Sequence, residues 1–294
     1  MDFKNLVLLS TNNQIGGKTK IFEKKFKMVE FVDKKIYVLN NMDNEKLDDL
    51  SEFPIGSITK VFTIISLLIL NQNKQIDINN KIGKYIDNDH IKNLKIIDII
   101  NHKSGLKNYW NNATYGSSKI KYKSATEIYN KWNDNNLIDT KTKGTQVYSN
   151  MGFHILGVLI EKISNMTYSD FVKNNILIPL NMTSTGIEDC NITLYDHKLK
   201  KLNKYQKWER SFASSAGELK SCIADLIKFS KFPSLLNKNS LNLLSTIYIY
   251  RKNDSSDEII ISHGGGISGG QSEFQITYNN NWKIKDIHIT MHTV

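Results

Sequence analysis

The chain has 294 residues, 40% of them hydrophobic, and a formal net charge of +10. This length and apolar content predict a globular protein with one large core or two subdomains, and exclude a disordered chain. No stretch reaches the roughly 20 apolar residues that a membrane-spanning helix needs, and no secretory leader is recognisable after Met1. We therefore expect a soluble intracellular, cytoplasmic protein without a membrane span.

The positive charge comes almost entirely from lysine, since Arg210 and Arg251 are the only arginines. The densest basic stretch, HKLKKLNKYQKWER at 197–210, interleaves Tyr205 and Trp208 with lysines, as a nucleic-acid platform would. The same pattern is typical of a solvated surface whose aromatic side chains anchor it to the body of the protein. We favour the solvated surface over nucleic-acid binding.

The first elements along the chain are a hairpin and a buried helix. Alternating segments at 26–32 and 35–39 flank the turn-prone pair 33–34 and predict two antiparallel strands. The apolar stretch at 61–70 predicts an interior helix that begins near Ser57.

Helical periodicity then dominates up to about residue 230, and strands return near the end of the chain. The clearest helical segments are 125–132, 152–163 and 224–232, and the late strands are 258–262, 271–278 and 283–291. This order predicts an α/β protein of the α+β type, with one antiparallel sheet built from both chain termini and flanked by helices. Within a single domain of residues 1–294, we expect a sheet subdomain at 1–74 and 218–294 and a mostly helical subdomain at 75–217.

The entrance of the predicted interior helix breaks the usual helix-capping rules. A Ser57 N-cap calls for Glu or Gln three residues later, and the first turn favours acidic side chains, yet the chain has Lys60. A spacing of three places both side chains on one helical face, where a neutral amine could take the hydroxyl proton. Ser57 is therefore a candidate nucleophile, although a single S-x-x-K occurs easily by chance in a lysine-rich chain.

Two polar clusters could supply partners for this serine. Tyr148-Ser149-Asn150 lies just before an apolar helix, and His263 opens a glycine run directly after a predicted strand. A phenol can move protons if a nearby ammonium lowers its pKa, an amide can hold a substrate carbonyl, and a glycine-rich strand edge can bring N–H groups to an oxyanion. Each cluster alone also has a simpler explanation, as a tyrosine at the core boundary or an ordinary glycine turn.

Taken together, the three clusters resemble the ordered motifs of a known superfamily. Ser57-x-x-Lys60, Tyr148-x-Asn150 and His263-x-Gly265 are similar to the S-x-x-K, Y-x-N and K-T-G (or H-x-G) motifs of the serine β-lactamase and penicillin-binding-protein-like superfamily, nearest its class C and esterase branch. Flanking segments at 99–106, 178–185 and 216–225 resemble its LLTHTSGL, PLGM and GGL segments. The similarity spans roughly residues 53–275.

The resemblance implies a serine hydrolase that acts on an ester, amide, peptide or β-lactam through an acyl-enzyme, in a groove between the two subdomains. The implied catalytic residues are Ser57, which attacks the acyl carbon, and Lys60 and Tyr148, which move the protons. The implied substrate-binding residues are Asn150, His263, Gly265 and Gly266, with the N–H of Ser57 and of a glycine near Gly265 or Gly266 forming the oxyanion hole. The resemblance implies no metal and no cofactor, and it makes His102 a structural loop residue.

His263 departs from the lysine that β-lactamases and transpeptidases carry at this position. Because a histidine is largely neutral at pH 7, it cannot supply the same charge to a substrate carboxylate. We therefore expect an ester or amide without that carboxylate to suit the site better than a β-lactam. A second departure is Glu218, which replaces the second glycine of the GGL segment.

Two other interpretations account for parts of the sequence. The segment 266–270 satisfies the G-x-S-x-G motif of α/β-hydrolases around Ser268, but in that fold HGGG lies far upstream, and too little chain follows here to carry the remaining catalytic residues. The other alternative is a catalytically inactive penicillin-binding-like scaffold that acts as a binding protein. Four polar groups placed together beside a buried helix argue for an enzyme.

Overall fold

The structure is a computed structural model that describes residues 26–108, 138–195, 201–202, 215–267 and 269–293. The predicted helical segment at 125–132 and Ser268 lie outside the described residues, as does the basic stretch 197–210 apart from residues 201–202.

The predicted hairpin is present near the start of the described chain. Strand β1 (Lys27–Val32) pairs antiparallel with β2 (Lys35–Asn40), and Val32 lies opposite Lys35. Asp33 and Lys34 between them have φ values of 51° and 60°. Positive φ at both central residues is typical of the type I′ turn, whose twist matches that of the flanking strands.

A short ribbon lies beside the entrance of the interior helix. Strand β3 (Phe53–Pro54) pairs antiparallel with β4 (Lys220–Ser221), which comes from much later in the chain. The Ile55 N–H donates to the Leu219 carbonyl at 2.9 Å and extends this contact by one residue. The ribbon therefore fixes the segment that leads into Ser57.

The main sheet has six strands in the order β2-β1-β8-β7-β6-β5, with every neighbouring pair antiparallel. The four late strands are β5 (Tyr250–Asn253), β6 (Glu258–Ile267), β7 (Gly270–Asn279) and β8 (Ile284–His292). Because β1 pairs directly with β8, strands from both ends of the chain meet inside one sheet. This confirms the predicted antiparallel sheet.

The interior helix α1 (Thr59–Gln72) follows a 3₁₀ turn at Gly56–Ile58, and all of its residues from Thr59 to Leu70 are buried. On the sheet side, Phe62 stacks on Phe229 with ring centroids 4.0 Å apart. The ring centroid of Phe229 lies 5.7 Å from that of Phe274 in β7. A helix that is apolar on all sides is expected where both faces are covered. None of the helices in the described ranges combines the length and the apolarity needed to cross a membrane.

Further helices surround α1. They are α2 (Ile96–Ile100), α3 (Asn150–Ser164), α4 (Tyr168–Val172, continued as a π-helical turn at Lys173–Leu177), α5 (Ile223–Phe229) and α6 (Lys238–Leu244). The predicted helix at 224–232 ends at Phe229, and a 3₁₀ turn at Phe232–Leu235, with Pro233 near its start, follows it. The helices and the antiparallel sheet together confirm the predicted α+β class.

The glycine run differs from its predicted position. We expected a strand at 258–262 followed by glycines, but β6 continues to Ile267, so His263 and the glycines lie inside the strand. Because glycine has a low intrinsic preference for strands, the sequence pattern predicted a strand end at residue 262, five residues before the strand ends in the structure. Pairing with β7, in which Gly265 lies opposite Ser272, carries the strand through this segment.

We predict that the core around α1 is sensitive to a cavity. Ile65→Ala should lower the free energy of unfolding by about 2 to 5 kcal/mol, because Ile65 is fully buried and its neighbours cannot fill the space. Urea denaturation followed by circular dichroism measures the change. The control is Ile178→Ala, at a position 62% exposed, which should change stability by less than about 0.5 kcal/mol. Equal losses in the two variants would contradict this account of the core.

Candidate active site

Ser57 lies in the 3₁₀ turn before α1 and is not a helix cap. The N-cap position of α1 is Ile58, which makes no side-chain capping hydrogen bond, and the first turn contains no acidic residue. Gly56, just before the serine, has φ +49°, a conformation that glycine adopts without strain. The Ser57 hydroxyl is therefore available for partners outside the helix.

Lys60 is fully buried, and its amine contacts three oxygen atoms. Its Nζ lies 2.9 Å from Ser57 Oγ, 2.7 Å from Asn150 Oδ1 and 2.6 Å from the Ala216 carbonyl oxygen. In the described part of the chain no carboxylate lies within ion-pair distance of this amine. Burial without a counter-charge holds the pKa of Lys60 well below its usual value.

The three oxygens match the hydrogen-bonding capacity of a neutral amine. The Asn150 and Ala216 oxygens can only accept, so they occupy the two N–H groups. The remaining lone pair of the neutral amine then faces the Ser57 hydroxyl, which can donate to it. The arrangement is that of a base next to a hydroxyl.

Tyr148 approaches the same hydroxyl from the other side. Its OH donates to Ser57 Oγ at 2.7 Å, and the Lys60 Nζ lies 4.9 Å from the centre of its ring. Burial of the phenol end raises the pKa of Tyr148 to about 12, although the residue as a whole is 41% exposed. A nearby ammonium could have lowered this pKa, but desolvation dominates, and the same desolvation drives Lys60 towards its neutral form. Tyr148 therefore keeps its proton at neutral pH.

Ser149, between Tyr148 and Asn150, fixes the start of the helix that carries Asn150. Its Oγ accepts from the Gly152 N–H at 3.1 Å and caps α3, while its own N–H donates to His102 Nδ1 at 3.1 Å. Sequence reasoning missed this cap, although a serine directly before an apolar helix is a strong N-cap signal.

Two glycines allow β6 to cross directly over the turn that carries Ser57. A methyl group on Gly265 would lie 1.9 Å from the Ile55 carbonyl oxygen, and one on Gly56 would lie 2.7 Å from the Gly266 nitrogen. The Ser272 hydroxyl donates to the Ile55 oxygen at 2.9 Å and ties β7 to the same point. A methyl group on Gly266, in contrast, would meet nothing within 4 Å.

His263 is held by hydrogen bonds within the protein. Its Nδ1 lies 2.5 Å from the Gly264 carbonyl oxygen, which can only accept, so Nδ1 carries the proton. Its Nε2 lies 2.8 Å from the Tyr248 hydroxyl and accepts from it. Burial, followed by the charge of Lys60, lowers the pKa of His263 to about 4. The ring is therefore neutral at pH 7.

The structure thus brings most of the sequence-predicted residues to one place. Ser57, Lys60, Tyr148 and Asn150 are joined by direct hydrogen bonds, and Gly265 and Gly266 cross the turn beside them. The ring of His263 is instead directed to Tyr248, which sequence reasoning did not identify. In the described ranges no group of three or more His, Cys, Asp or Glu side chains could hold a metal ion.

This fold, with a serine, a lysine and a tyrosine converging beside the sheet, is that of a serine β-lactamase-like and penicillin-binding-protein-like protein. A family model described as Beta-lactamase matches residues 31–255, well over half of the chain. The chain belongs to this β-lactamase family, which confirms the superfamily predicted from the ordered motifs.

Curated relatives match different shares of the chain. Penicillin-binding protein 4* of Bacillus subtilis (strain 168) is 29% identical over 140 residues, which are 47% of this chain and 31% of the relative. Protein flp of Staphylococcus aureus (strain NCTC 8325 / PS 47) is 23% identical over 301 aligned positions, covering 90% of this chain and 56% of the relative. The chain thus spans between about a third and somewhat over half the length of these relatives.

Solved structures with the same fold include hydrolases and a penicillin-binding protein. A D-stereospecific amidohydrolase from Streptomyces sp. superposes with a TM-score of 0.71 at 21% identity, covering 91% of this chain and 88% of the other. A D-amino acid amidase from Ochrobactrum anthropi SV3, complexed with L-phenylalanine amide, gives 0.69 at 18% identity and covers 91% and 85%. The penicillin binding protein from Bacillus halodurans gives 0.68 at 15% identity and covers 91% and 90%. These likenesses show the fold.

We predict that adjacent glycines in β6 differ sharply in their tolerance of a side chain. Gly265→Ala should lower the free energy of unfolding by about 1 to 3 kcal/mol, because its methyl group would press on the Ile55 carbonyl. Gly266→Ala is the matched control and should be close to neutral, since its methyl group would enter open space. Chemical denaturation of both variants measures the difference. Similar stabilities would mean that β6 does not press against the serine turn.

Proposed function

We propose that the protein is a serine hydrolase that forms an acyl-enzyme with an ester, amide or peptide substrate. The observation that carries this proposal is the chain of hydrogen bonds at Ser57, whose hydroxyl lies 2.9 Å from a buried amine and 2.7 Å from a phenol. The Lys60 amine can remove the serine proton, and the Tyr148 phenol can supply a proton to the leaving group. These are the two proton transfers that acyl transfer requires.

In the first step, Ser57 Oγ attacks the acyl carbon while its proton moves to the lone pair of Lys60. The carbonyl π electrons move to the oxygen and form a tetrahedral oxyanion. The N–H groups of Ser57 and Gly266 are the donors we assign to this oxyanion, because β6 crosses the serine turn at that point. One such donor stabilises the transition state by about 2.7 to 4 kcal/mol in comparable hydrolases.

In the second step, the bond from the acyl carbon to the leaving group breaks, and the leaving atom takes the proton of the Tyr148 hydroxyl. The oxyanion re-forms the carbonyl as the leaving group departs, and the ammonium of Lys60 gives its proton to the Tyr148 phenolate, so charge and protons balance. Water then attacks the acyl-enzyme with the same groups in reversed roles. Asn150, whose Oδ1 already fixes Lys60, is the residue we assign to orient the amide of the acyl group.

The proposed groove lies between the sheet subdomain at 1–74 and 218–294 and the helical subdomain at 75–217. In support, Ser57 and Lys60 come from the first of these segments, whereas Tyr148 and Asn150 come from the second. Similar structures named as an amidohydrolase and an amidase favour amide or peptide substrates for this chain. The neutral state of His263 disfavours substrates whose recognition requires a fixed positive charge.

We predict covalent labelling of Ser57 by a fluorescent fluorophosphonate. The wild type should be labelled because the hydroxyl lies next to a base, and Ser57→Ala should abolish the label. Ser66→Ala is the matched control, since Ser66 is a buried serine on α1 whose hydroxyl donates to the Phe62 carbonyl at 2.8 Å, and it should label normally. In-gel fluorescence with intact-mass spectrometry measures the adduct. A folded wild type without adduct would support the alternative, an inactive scaffold that binds ligands.

The pKa directions at the site predict the pH dependence of acylation. The rate should rise with pH as Lys60 loses its proton, with a midpoint well below the usual lysine value, and should fall only where Tyr148 ionises near pH 12. Lys60→Ala should remove the rising limb and lower the rate by about 100-fold or more. Lys231→Ala, at an exposed lysine, is the control and should leave the profile unchanged. Stopped-flow labelling from pH 5 to 10 measures the rising limb, and a rising limb that survives in Lys60→Ala would refute the assigned base.

A further inference from the structure

A row of four rings lines one side of the candidate site. Ring centroids lie 4.5 Å apart for Tyr148 and His102, 4.8 Å apart for His102 and Tyr248, and 5.7 Å apart for Tyr248 and His263. The row begins at the phenol that contacts Ser57 and ends on β6. Tyr248 is the member that joins the helical part of the protein to the sheet.

The backbone of Tyr248 is fixed from the helical side. Its N–H donates to Asn101 Oδ1 at 2.9 Å, and Asn101 Nδ2 donates to the Thr246 carbonyl at 3.0 Å. Burial raises the pKa of Tyr248 well above its usual value, so the phenol keeps its proton. The direction of its O–H bond is then set by the acceptor it meets, which is His263 Nε2 at 2.8 Å.

This hydrogen bond leaves His263 without a free donor. The proton on Nδ1 is taken by the Gly264 carbonyl, and Nε2 accepts the phenol proton. A substrate carboxylate needs an N–H group or a positive charge, and the ring held in this way offers neither. His263 also shares a face of β6 with Gly265, the residue that crosses the serine turn, because side chains alternate along a strand.

We propose that Tyr248 is a positioning residue that determines specificity: its hydroxyl holds the His263 ring with an unprotonated Nε2, so that the site favours uncharged acyl groups over groups that carry a carboxylate. This inference rests on the proposed hydrolase function. Without the hydroxyl, Nε2 loses the donor that occupies it, while the Gly264 carbonyl still holds the proton on Nδ1. A substrate carboxylate that meets Nε2 then favours the ring protonated on both nitrogens, whose Nε2–H can donate to that carboxylate.

The test compares two p-nitrophenyl esters of equal acyl length, the valerate, which is uncharged, and the monoglutarate, which ends in a carboxylate. In Tyr248→Phe the ratio of kcat/KM for valerate over glutarate should fall about tenfold, the effect of one hydrogen bond to a charged group. The fall should come from a lower KM for the glutarate ester, with kcat for the valerate ester nearly unchanged. A purely structural role would instead lower both kcat values together and leave the ratio unchanged, which would overturn the proposal.

Tyr250→Phe is the matched control. Tyr250 lies two residues further on, in β5, and its ring packs at 6.4 Å from Trp282 rather than on His263. Its substitution should leave the valerate-to-glutarate ratio unchanged. A tenfold fall in this variant as well would show that any lost phenol loosens the sheet edge, and would overturn the specific role of Tyr248.

A second measurement is independent of turnover. Nitrogen NMR of the wild type with ¹⁵N-labelled histidine should show His263 with a proton on Nδ1 and none on Nε2 at pH 7, assigned by comparison with His263→Gln. A proton on Nε2 would overturn the proposal whatever esters are hydrolysed. A protein that hydrolyses neither ester but shows the expected tautomer would count against the proposed function, whereas the hydrogen bond from Tyr248 to His263 would stand.

Discussion

The candidate site depends on one lysine amine that is removed from water without a counter-charge. Burying an ammonium in this way costs several kcal/mol, whereas a neutral amine with two satisfied N–H groups costs far less. The Asn150 and Ala216 oxygens satisfy those two groups, and the lone pair is left for Ser57. The same desolvation that favours the neutral amine of Lys60 keeps Tyr148 protonated, so one physical cause places a neutral amine and a protonated phenol on either side of one hydroxyl.

The amine also joins segments that are far apart in the chain. Its partners Asn150 and Ala216 lie 90 and 156 residues away, and each is fixed by its own local structure. Asn150 is the first residue of α3, which Ser149 caps, and Ala216 precedes the ribbon strand β4. From the sheet side, Gly265 brings β6 against the carbonyl of Ile55. The site therefore forms only when the main sheet, the ribbon and the helices are all in place. Lys60 is thus a structural group as well as a candidate base.

The sequence predicted the elements whose signal is local or ordered. Alternation predicted the hairpin and the late strands, and the resemblance of the ordered motifs to the superfamily implied that Ser57, Lys60, Tyr148 and Asn150 would meet. It failed where the deciding contact is tertiary. The glycines after His263 have no strand preference of their own, and pairing with β7 keeps them in β6. The sign of the shift at Tyr148 depends on burial, which no motif encodes. Tyr248 belongs to no motif, and only the folded chain brings it to His263.

The neutral rings around the amine have a consequence for proton transfer. In the proposed mechanism Lys60 takes the serine proton and becomes an ammonium in a buried site, where any neighbouring positive charge would oppose that step. Burial lowers the pKa of His102 to about 3 and that of His263 to about 4, and the charge of Lys60 contributes to both. The coupling is mutual, so two rings that remain neutral at pH 7 leave Lys60 free to accept the proton. A permanent cation at position 263 would lower the pKa of Lys60 further and weaken it as a base. In the proposed mechanism, a histidine that burial keeps neutral and whose Nε2 accepts from Tyr248 therefore has two effects: it offers no charge to substrate carboxylates, and it preserves the basicity of the amine.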